Sequence, residues 1–528
     1  MQNPTRFRTG RSARAAAVLL PWIGTLVSGC VVGPDFEQPA APPVESLVTG
    51  TLQSPGSAGG ERQEFLVGSD IPGEWWRLFH SSALNALIED ALRRNYDLKA
   101  AEAALRIAQA NTQAARGMFF PQVSGSFLAM RQKVSEDPLL PSTPTGTPYY
   151  TTYTDQLTIG YVPDVFGGIR RQVESQFAAA EVERFQLEAV HLSLTSNLAL
   201  AAIQEAALRG QIEATRKVIA IVQEILTLQR KQFALGQIDG VDVASQEAAL
   251  AQMQITLPPL EKQLAQQRTQ MIALAGHFPG EGLPVRFEFS DLKLPDELPV
   301  SLPFEVVRQR PDVRAAEANV HSACALVGVA IANRLPQFNI MANGGTTSSS
   351  LAHVLDFSTK YSFWTIAGTV GQVFFDGFTL EQKQRAAEAG LDQAAAQYKS
   401  TVIVGYQNVA NALEALDYDA RTLRAALESE RAANKSLHLV RERLRLGKIS
   451  AIEILNAQQT YHLASLAVVQ AKAARYADTV ALFQALGGGW WNRSDVPAEL
   501  ALRGWWSYLI HREAVEEVPV AASSWAPR

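Results

Sequence analysis

Two long segments of the chain have helical periodicity and almost no helix-breaking residues. Residues 169–235 contain no proline and a single glycine, and apolar side chains recur along one face. This stripe is formed by Val218, Ile219, Val222, Ile225, Leu226 and Phe233. Residues 380–446 form a similar run that is rich in alanine. Because a helix rises 1.5 Å per residue, each segment would be about 100 Å long, far more than the thickness of a bilayer.

Each long segment ends at a Leu-Gly pair, and a return helix is predicted to begin a few residues later. The pairs are Leu235-Gly236 and Leu446-Gly447, and glycine is a natural helix stop. In the first half of the chain, Pro258-Pro259 should interrupt the return helix, whereas the second half has no such break. A further helix is predicted near residues 83–117.

In four shorter segments, apolar and polar residues alternate as they do in a strand, and they do not follow a helical period. They are residues 122–132, 156–162, 337–343 and 362–373. Loops at 141–153 and 344–350 separate the members of each pair. Strands of about ten residues suit a tilted membrane crossing, although soluble hairpins are the alternative. Aromatic residues expected at membrane interfaces lie near the strand ends: Tyr149, Tyr150, Tyr153, Tyr361 and Trp364.

Four strands cannot close a membrane barrel, because open strand edges are not tolerated in lipid. If the strands cross a membrane, the chain must therefore oligomerise. Two subunits would supply eight strands and three would supply twelve, and composition does not choose between them.

The same plan occurs twice along the chain. Residues 91–110 match residues 306–325, and residues 230–243 match residues 441–454 at nearly the same offset. The proline-rich stretch between the copies cannot form a long helix. We predict a first repeat at 81–279, a connector at 280–303, a second repeat at 304–491 and a C-terminal tail at 492–528.

The N-terminus has the features of an export signal. Residues 1–14 carry four arginines and no acid, and residues 15–27 are apolar but too short to span a bilayer. Ser28 and Gly29 then precede Cys30, which resembles a bacterial lipobox; a plain secretory signal with a chance cysteine is the alternative. The resemblance implies a signal peptide at 1–29, diacylglyceryl and N-acyl groups on Cys30, and a lipid-anchored extended leader at 30–80. Val31, which is not aspartate, fits sorting to the outer membrane.

Composition excludes several other functions. The net charge of −5 becomes −9 when residues 1–29, with four arginines and no acid, are removed, so nucleic acid is not an expected partner. Cys324 would be a lone thiol, the histidines are scattered, and no catalytic pairing or metal motif is evident. We expect no enzyme activity, no metal and no cofactor. Beyond the signal, no segment reaches 18 apolar residues, so we expect no transmembrane helix.

Several motifs resemble the outer-membrane efflux channel family, in its TolC-like, nodulation-T-like lipoprotein branch. They are CVVGPDFEQP (30–39), WWRLF (75–79), RQRPDVRAAE (308–317), VFFDG (373–377), LGKISAIEIL (446–455) and ALGGGW (485–490). The resemblance implies an α+β membrane protein with two tandem repeats, each with two transmembrane strands and long helices. It also implies a homotrimer, in which a 12-stranded β-barrel in the outer membrane joins an α-helical barrel in the periplasm. The implied partners are a periplasmic adaptor protein and an inner-membrane pump of the resistance-nodulation-division class.

The resemblance also indicates a constriction, the periplasmic gate, just after each Leu-Gly turn. In the second copy this maps to Glu453 and Asn456, which lie one helical turn apart. In the first copy it maps to Asp242 and to Asp239 within the turn. Many relatives have aspartate at both second-copy positions, so Glu453 and Asn456 depart in length and charge. The alternative is a solvated acid that stabilises a helix start.

The turns around the Leu-Gly pairs are the predicted docking points for the adaptor. Their residues are Leu235, Gly236, Leu446, Gly447 and Lys448. The resulting hypothesis is a passive gated conduit that exports drugs or other small toxic molecules from the pump to the exterior. Export of proteins or oligosaccharides is an alternative, and a lipid-anchored helical scaffold without a pore is another. The tail at 499–528 is longer than the resemblance explains.

Overall fold

The fold is described here from a computed structural model. It describes residues 31–40, 42–43, 46, 54–133, 149–301, 305, 308–356, 358, 360–446 and 450–493. The predicted signal peptide, Cys30, the loop at 141–148, Gly447, Lys448 and residues 494–528 lie outside this description.

Two helices of 67 residues dominate the architecture, as the lack of breakers predicts. They are α3 (Gly168–Ala234) and α7 (Thr379–Arg445). Both contact the shorter helix α6 (Pro311–Ala332) and the return helix α8 (Ala451–Ala485). Other helices in the described part of the chain are α1 (Ser82–Arg94), α2 (Tyr96–Arg116), α4 (Gly240–Ile255) and α5 (Leu257–Leu274).

The return helices differ between the two halves as predicted. In the first half the return path breaks at Thr256 into α4 and α5, and Pro258 and Pro259 fall in the first turn of α5. Proline is tolerated there because the first amides of a helix have no partner within it. In the second half, α8 runs unbroken for 35 residues.

The prediction of one helix near 83–117 is wrong, because the chain breaks at Asn95 between α1 and α2. The Asn95 side chain accepts hydrogen bonds from the amides of Asp97 and Leu98, at 2.8 and 3.0 Å. It also donates to the carbonyl of Leu274, at 3.0 Å. The apolar periodicity continues across Asn95, but the helix ends there because the Asn95 side chain caps the next helix.

The four predicted strands form one antiparallel sheet in the order β3-β4-β6-β7. Their bounds are β3 (Gln122–Lys133), β4 (Tyr149–Tyr161), β6 (Gln337–Ser348) and β7 (Ser362–Gly371). The predicted loops at 141–153 and 344–350 are both partly wrong, since β4 begins at Tyr149 and β6 continues to Ser348. Gly345 lies within the strand, paired with β4, and only glycine fits there because a Cβ would clash with the carbonyl oxygen of Asp155.

The leader and the connector pair with each other, which sequence patterns did not predict. Strands β1 (Gly56–Ala58) and β2 (Glu61–Val67) form a small sheet with β5 (Glu297–Val300), which pairs with β2 in parallel. The WWRLF motif follows as a 3-10 turn, and Trp75, Trp76 and Phe79 are buried in the largest apolar core. That core also takes side chains from the middle of α3 and α7 and from the C-terminal part of α8. It ties the leader to both halves of the chain.

Among the helices that the structure describes, one, α6, is long and apolar enough to cross a membrane by length and composition alone. It contacts α3 and α7, and Val313, Val320 and Cys324 are buried. A helix packed in this way meets the same compositional test as a membrane span.

Candidate functional site

The two predicted docking turns lie side by side at one end of the long helices. Near the end of α3, the side-chain amide of Gln232 donates to the carbonyl of Leu444 near the end of α7, at 2.9 Å. Just beyond the turns, the amide of Gln246 on α4 donates to Gln458 Oε1 on α8, at 3.3 Å. An apolar cluster centred on Ile225, Leu444 and Ile454 fills the space between.

Exposed leucines mark the tips of both turns. Leu235 is 72% exposed and Leu446 is 70% exposed, although each follows a helix with many buried residues. Gly236 has φ +70°, a left-handed conformation that suits glycine and ends α3. The structure thus presents two apolar side chains at one end of the molecule, as a docking surface would.

The four predicted gate residues lie at the starts of the two return helices. Asp239 precedes α4 and Asp242 is in its first turn; Glu453 occupies the corresponding first-turn position of α8, and Asn456 follows one turn later. Asp239, Glu453 and Asn456 are exposed, and Asp242 is partly buried. Carboxylates here also interact favourably with the N-terminal end of the helix dipole.

Glu453 has a local role at the start of α8. Ser450 precedes α8, and its hydroxyl accepts a hydrogen bond from the amide of Glu453 at 3.4 Å. The same hydroxyl lies 3.4 Å from Glu453 Oε1. This serine and glutamate spacing is that of a capping box, so the carboxyl also supports the helix start.

The four-stranded sheet has one apolar face and one polar face. The register places Val123, Ile159, Ala342 and Ile366 in one row across all four strands. The adjacent row, on the opposite face, is Ser124, Thr158, Asn343 and Thr365. Val123 and Ile366 are 62% and 71% exposed. This division is typical of a membrane barrel with a polar lumen.

Both edges of this sheet are unpaired within the described part of the chain. Strands β3 and β7 are the edge strands. Unpaired backbone groups at such edges are too costly in lipid, so a membrane-embedded sheet of this kind would need a strand from another subunit at each edge.

Sequence reasoning missed a charged clamp that holds the leader. Arg171, at the start of α3, has a side chain that is 4% exposed, and it forms ion pairs with Asp35 of the leader and with Glu174, the latter at 2.8 Å. Glu174 also lies 2.9 Å from His321 Nε2 on α6, and Phe36 stacks on that histidine. Burial alone would raise the pKa of Glu174, but hydrogen bonds from His321 and Arg171 bring this pKa below its ordinary value. In the sequence, the feature that could have indicated this clamp is the GPDF motif at 33–36, which contains Asp35 and Phe36.

A second missed feature is a pair of carboxyls between α7 and α8. Burial, and then the hydrogen bond and charge of Asp478, raise the pKa of Asp419 to about 7. Nearby Arg475 is fully buried and donates to Gln63 Oε1 and to the carbonyl of Ala58 in the leader, both at 2.8 Å. Neither carboxyl stands out in the sequence, because single acids are common on helix surfaces.

Two further residues help to hold the second repeat together. Cys324 is buried on α6, and this burial raises the pKa of its thiol. Arg310 joins the two ends of the second repeat, since it pairs with Asp312 and donates to the carbonyl of Ala485 at 2.7 Å. These residues have packing roles.

A family model described as "Outer membrane efflux protein" matches this chain twice, at residues 87–277 and 302–488. The pyoverdine export outer membrane protein OpmQ of Pseudomonas putida is 29% identical over 428 residues, covering 80% of this chain and 89% of OpmQ. The probable efflux pump outer membrane protein TtgC of Pseudomonas putida is 26% identical, covering 89% of this chain and 94% of TtgC.

Solved structures give the same result. The outer-membrane channel OprN matches with a TM-score of 0.78 and 27% identity, covering 87% of this chain and all of that chain. The open-state MtrE outer membrane channel of Neisseria gonorrhoeae matches with a TM-score of 0.74 and 25% identity, covering 88% of this chain and all of that chain. The two-faced sheet, the paired long helices and these matches agree: the chain belongs to the outer membrane efflux protein family and is a channel component of an efflux system in the outer membrane of a Gram-negative bacterium.

Proposed function

We propose that three copies of this chain form a passive, gated conduit from a periplasmic adaptor and an inner-membrane pump to the exterior. The observation that carries this proposal is the four-stranded sheet with open edges, one apolar face and one polar face, joined to two long helices. The apolar rows would face lipid, and the polar rows would line a water-filled lumen.

Three copies are the smallest number that gives a conduit. Two copies would supply eight strands, and an eight-stranded barrel has an interior that side chains fill. Three copies would supply twelve strands and leave a lumen. The helices would continue this lumen into the periplasm.

The gate is assigned to the starts of the return helices. Glu453 and Asn456 of three subunits would form rings of polar side chains, with Asp242 and Asp239 in neighbouring positions. A ring of carboxylates filters ions by charge. Leu235, Gly236 and Leu446, with the adjacent Gly447 and Lys448, form the proposed docking site for the adaptor. The two exposed leucines support this assignment.

Cys30 is proposed as the lipid attachment site, with diacylglyceryl and N-acyl groups and no other cofactor. The proposed units are the signal peptide at 1–29, the leader at 30–80, the repeats at 81–279 and 304–491, the connector at 280–303 and the tail at 492–528. The family match along the two repeats supports this division. Small molecules are the proposed substrates, because relatives are named for pyoverdine, antibiotics and toluene. We propose no catalytic role for any residue.

The test is single-channel conductance of the purified protein in a planar bilayer. Because Glu453 supports its helix start, the charge should be removed by Glu453→Gln together with Asp242→Asn, which keep hydrogen-bonding capacity. We expect small, mostly closed conductance from the wild type and a higher open fraction from the double variant.

The matched control is Glu247→Gln, an exposed acid on α4 that pairs with Arg230. It should leave conductance unchanged. Unchanged conductance in the double variant would keep the channel and remove these gate residues. If well-folded wild-type and variant trimers both form no pore, the conduit proposal is wrong.

A further inference from the structure

An apolar groove lies where the sheet meets the helices. It has a volume of about 310 Å³ and is bounded by the β4–α3 connection on one side and the α6–β6 connection on the other. Its apolar lining includes Met118, Val162, Val165, Phe166, Val329 and Phe338. This volume is at the lower end of the range for ligand sites, and it suits part of one acyl chain.

Four polar residues line the groove, Asp164, Gln172, Asn333 and Gln337, and the protein itself satisfies Asp164 and Gln337. Asp164 accepts hydrogen bonds from the amides of Ile169 and Arg170, at 2.8 and 3.0 Å, and forms an ion pair with the Arg170 side chain. The side-chain amide of Gln337 donates to the carbonyls of Ala332 and Leu335, at 3.0 and 2.9 Å. The surface left for an occupant is therefore mainly apolar.

The leader reaches the rim of this groove. The amide of Val32 donates to the carbonyl of Phe166, which lines the groove, at 3.2 Å. A Cβ on Gly167 would lie 3.0 Å from the Cα of Val31, so these two backbones are in close contact. Arg171 fixes the leader from the other side through the carbonyl of Val32 and the carboxylate of Asp35.

Covalent geometry then limits where the preceding residue can be. The Cα of Cys30 must lie about 3.8 Å from that of Val31. The groove lies at the helix-proximal end of the strands, next to Tyr161 and Gln337, where a barrel would meet the inner leaflet of the outer membrane. The described part of the leader thus ends, at Val31, beside this apolar groove, and the residue before it is the proposed lipid attachment site.

We propose that this groove binds an acyl chain of the lipid on Cys30, which holds the anchor against its own subunit. The proposal rests on the proposed lipidation of Cys30. It assigns to the GPDF segment and Arg171 the task of aiming the anchor into the groove. A membrane phospholipid or a neighbouring subunit are the competing occupants.

The test uses the full-length protein with a photoreactive benzophenone side chain at Val165, isolated from outer membranes, irradiated, digested and analysed by mass spectrometry. We expect a covalent link between the Val165 peptide and the lipidated N-terminal peptide. The same probe at Val162, also in the groove, should give the same link. A probe at Leu157, which is exposed on the apolar face of the sheet, should capture phospholipid instead.

A Cys30→Ser variant with a cleavable signal should lose the link to the N-terminal peptide, and Val165 should then capture phospholipid. If the wild-type N-terminal peptide carries no lipid, the lipidation proposal is wrong and the groove proposal fails with it. If that peptide is lipidated but both groove probes capture only phospholipid or peptides of another subunit, lipidation stands and the groove proposal is overturned.

Discussion

Arg171 shows how one buried charge connects the leader to the body of the protein. Its guanidinium contacts Asp35 and Glu174 and the carbonyls of Val32 and Gly33. Glu174 is buried, so its carboxylate depends on Arg171 and His321 for compensation. Removal of the cation leaves a buried acid with one partner fewer.

Arg171→Ala should therefore destabilise the protein by about 3 kcal/mol, the usual cost of breaking a buried ion pair. The measurement is thermal unfolding in detergent, combined with protease cleavage of the leader. Arg216→Ala is the matched control, since Arg216 is on the same helix as Arg171 and forms an exposed ion pair with Glu261 on α5. Its effect should be within about 1 kcal/mol. Equal losses in both variants would contradict the role given to the clamp.

Asp419 should make stability depend on pH. Burial and Asp478 raise its pKa to about 7 in the folded protein, whereas an unfolded aspartate titrates near 4. Between these values the folded state binds more protons than the unfolded state, so the stability falls as the pH rises. The loss is complete above about pH 7.

Asp419→Asn mimics the protonated carboxyl and should remove this dependence. We expect little change near about pH 4, and a gain on the order of 1–2 kcal/mol near about pH 8, reduced by the solvent that reaches both carboxyls. Melting temperatures in detergent at both pH values provide the measurement. Glu414→Gln changes an exposed acid on the same helix and should have no such effect. A gain of equal size at both pH values would rule out titration as the cause.

Asn95 determines where two helices meet. The apolar pattern continues through it, yet its side chain caps α2 and bonds to Leu274 at the end of α5. One polar residue therefore fixes the angle between α1 and α2 and attaches both to the return path of the first repeat.

Asn95→Ala should cost about 2 kcal/mol, because it removes the cap and leaves the carbonyl of Leu274 without that donor. Asn111→Ala is the control, since Asn111 is exposed within α2 and alanine has a higher helix propensity. That variant should be neutral or slightly more stable. Thermal unfolding and circular dichroism of both variants test this, and equal effects would show that the cap is unimportant.

The sequence was most informative where one physical rule dominated. The lack of proline and the scarcity of glycine predicted α3 and α7, and Pro258-Pro259 predicted the break in the first return path. Prediction failed where a distant contact decided the structure. Gly345 suggested a loop, but it lies in β6, where the absence of a Cβ allows the backbone of β4 to come close. Phe233 fitted the apolar stripe but is 51% exposed, next to the turn at which α3 ends.

The candidate site was predictable only in part, for a similar reason. Local spacing located Asp242 and Glu453 at equivalent first-turn positions, and repeat symmetry related them. The pair formed by Asp419 and Asp478, and the clamp around Arg171, join residues far apart in sequence. No periodicity connects such residues, so only the three-dimensional structure brings them together.

At the scale of the whole molecule, the faces of the sheet determine how subunits and membrane are arranged. Adjacent residues on β7 belong to opposite faces: Ile366 is in the apolar row and Thr365 is in the polar row. Both are exposed in the single chain. Assembly into a barrel would place one in lipid and the other in the lumen.

This arrangement makes a matched pair of lysine substitutions decisive. Ile366→Lys should reduce the folded trimer in outer membranes sharply, since a lysine on the lipid face near the middle of a bilayer costs about 2–4 kcal/mol. Thr365→Lys should assemble normally and shift the ion selectivity of the pore towards anions, because it adds a positive charge to the lumen in each subunit. Cell fractionation with heat-modifiable gel mobility measures assembly, and planar bilayers measure selectivity. If Thr365→Lys blocks assembly and Ile366→Lys does not, then the face with Thr365 contacts lipid and the face with Ile366 lines the lumen. Normal assembly of both variants would mean that neither face contacts lipid, and the sheet would then not form the barrel wall.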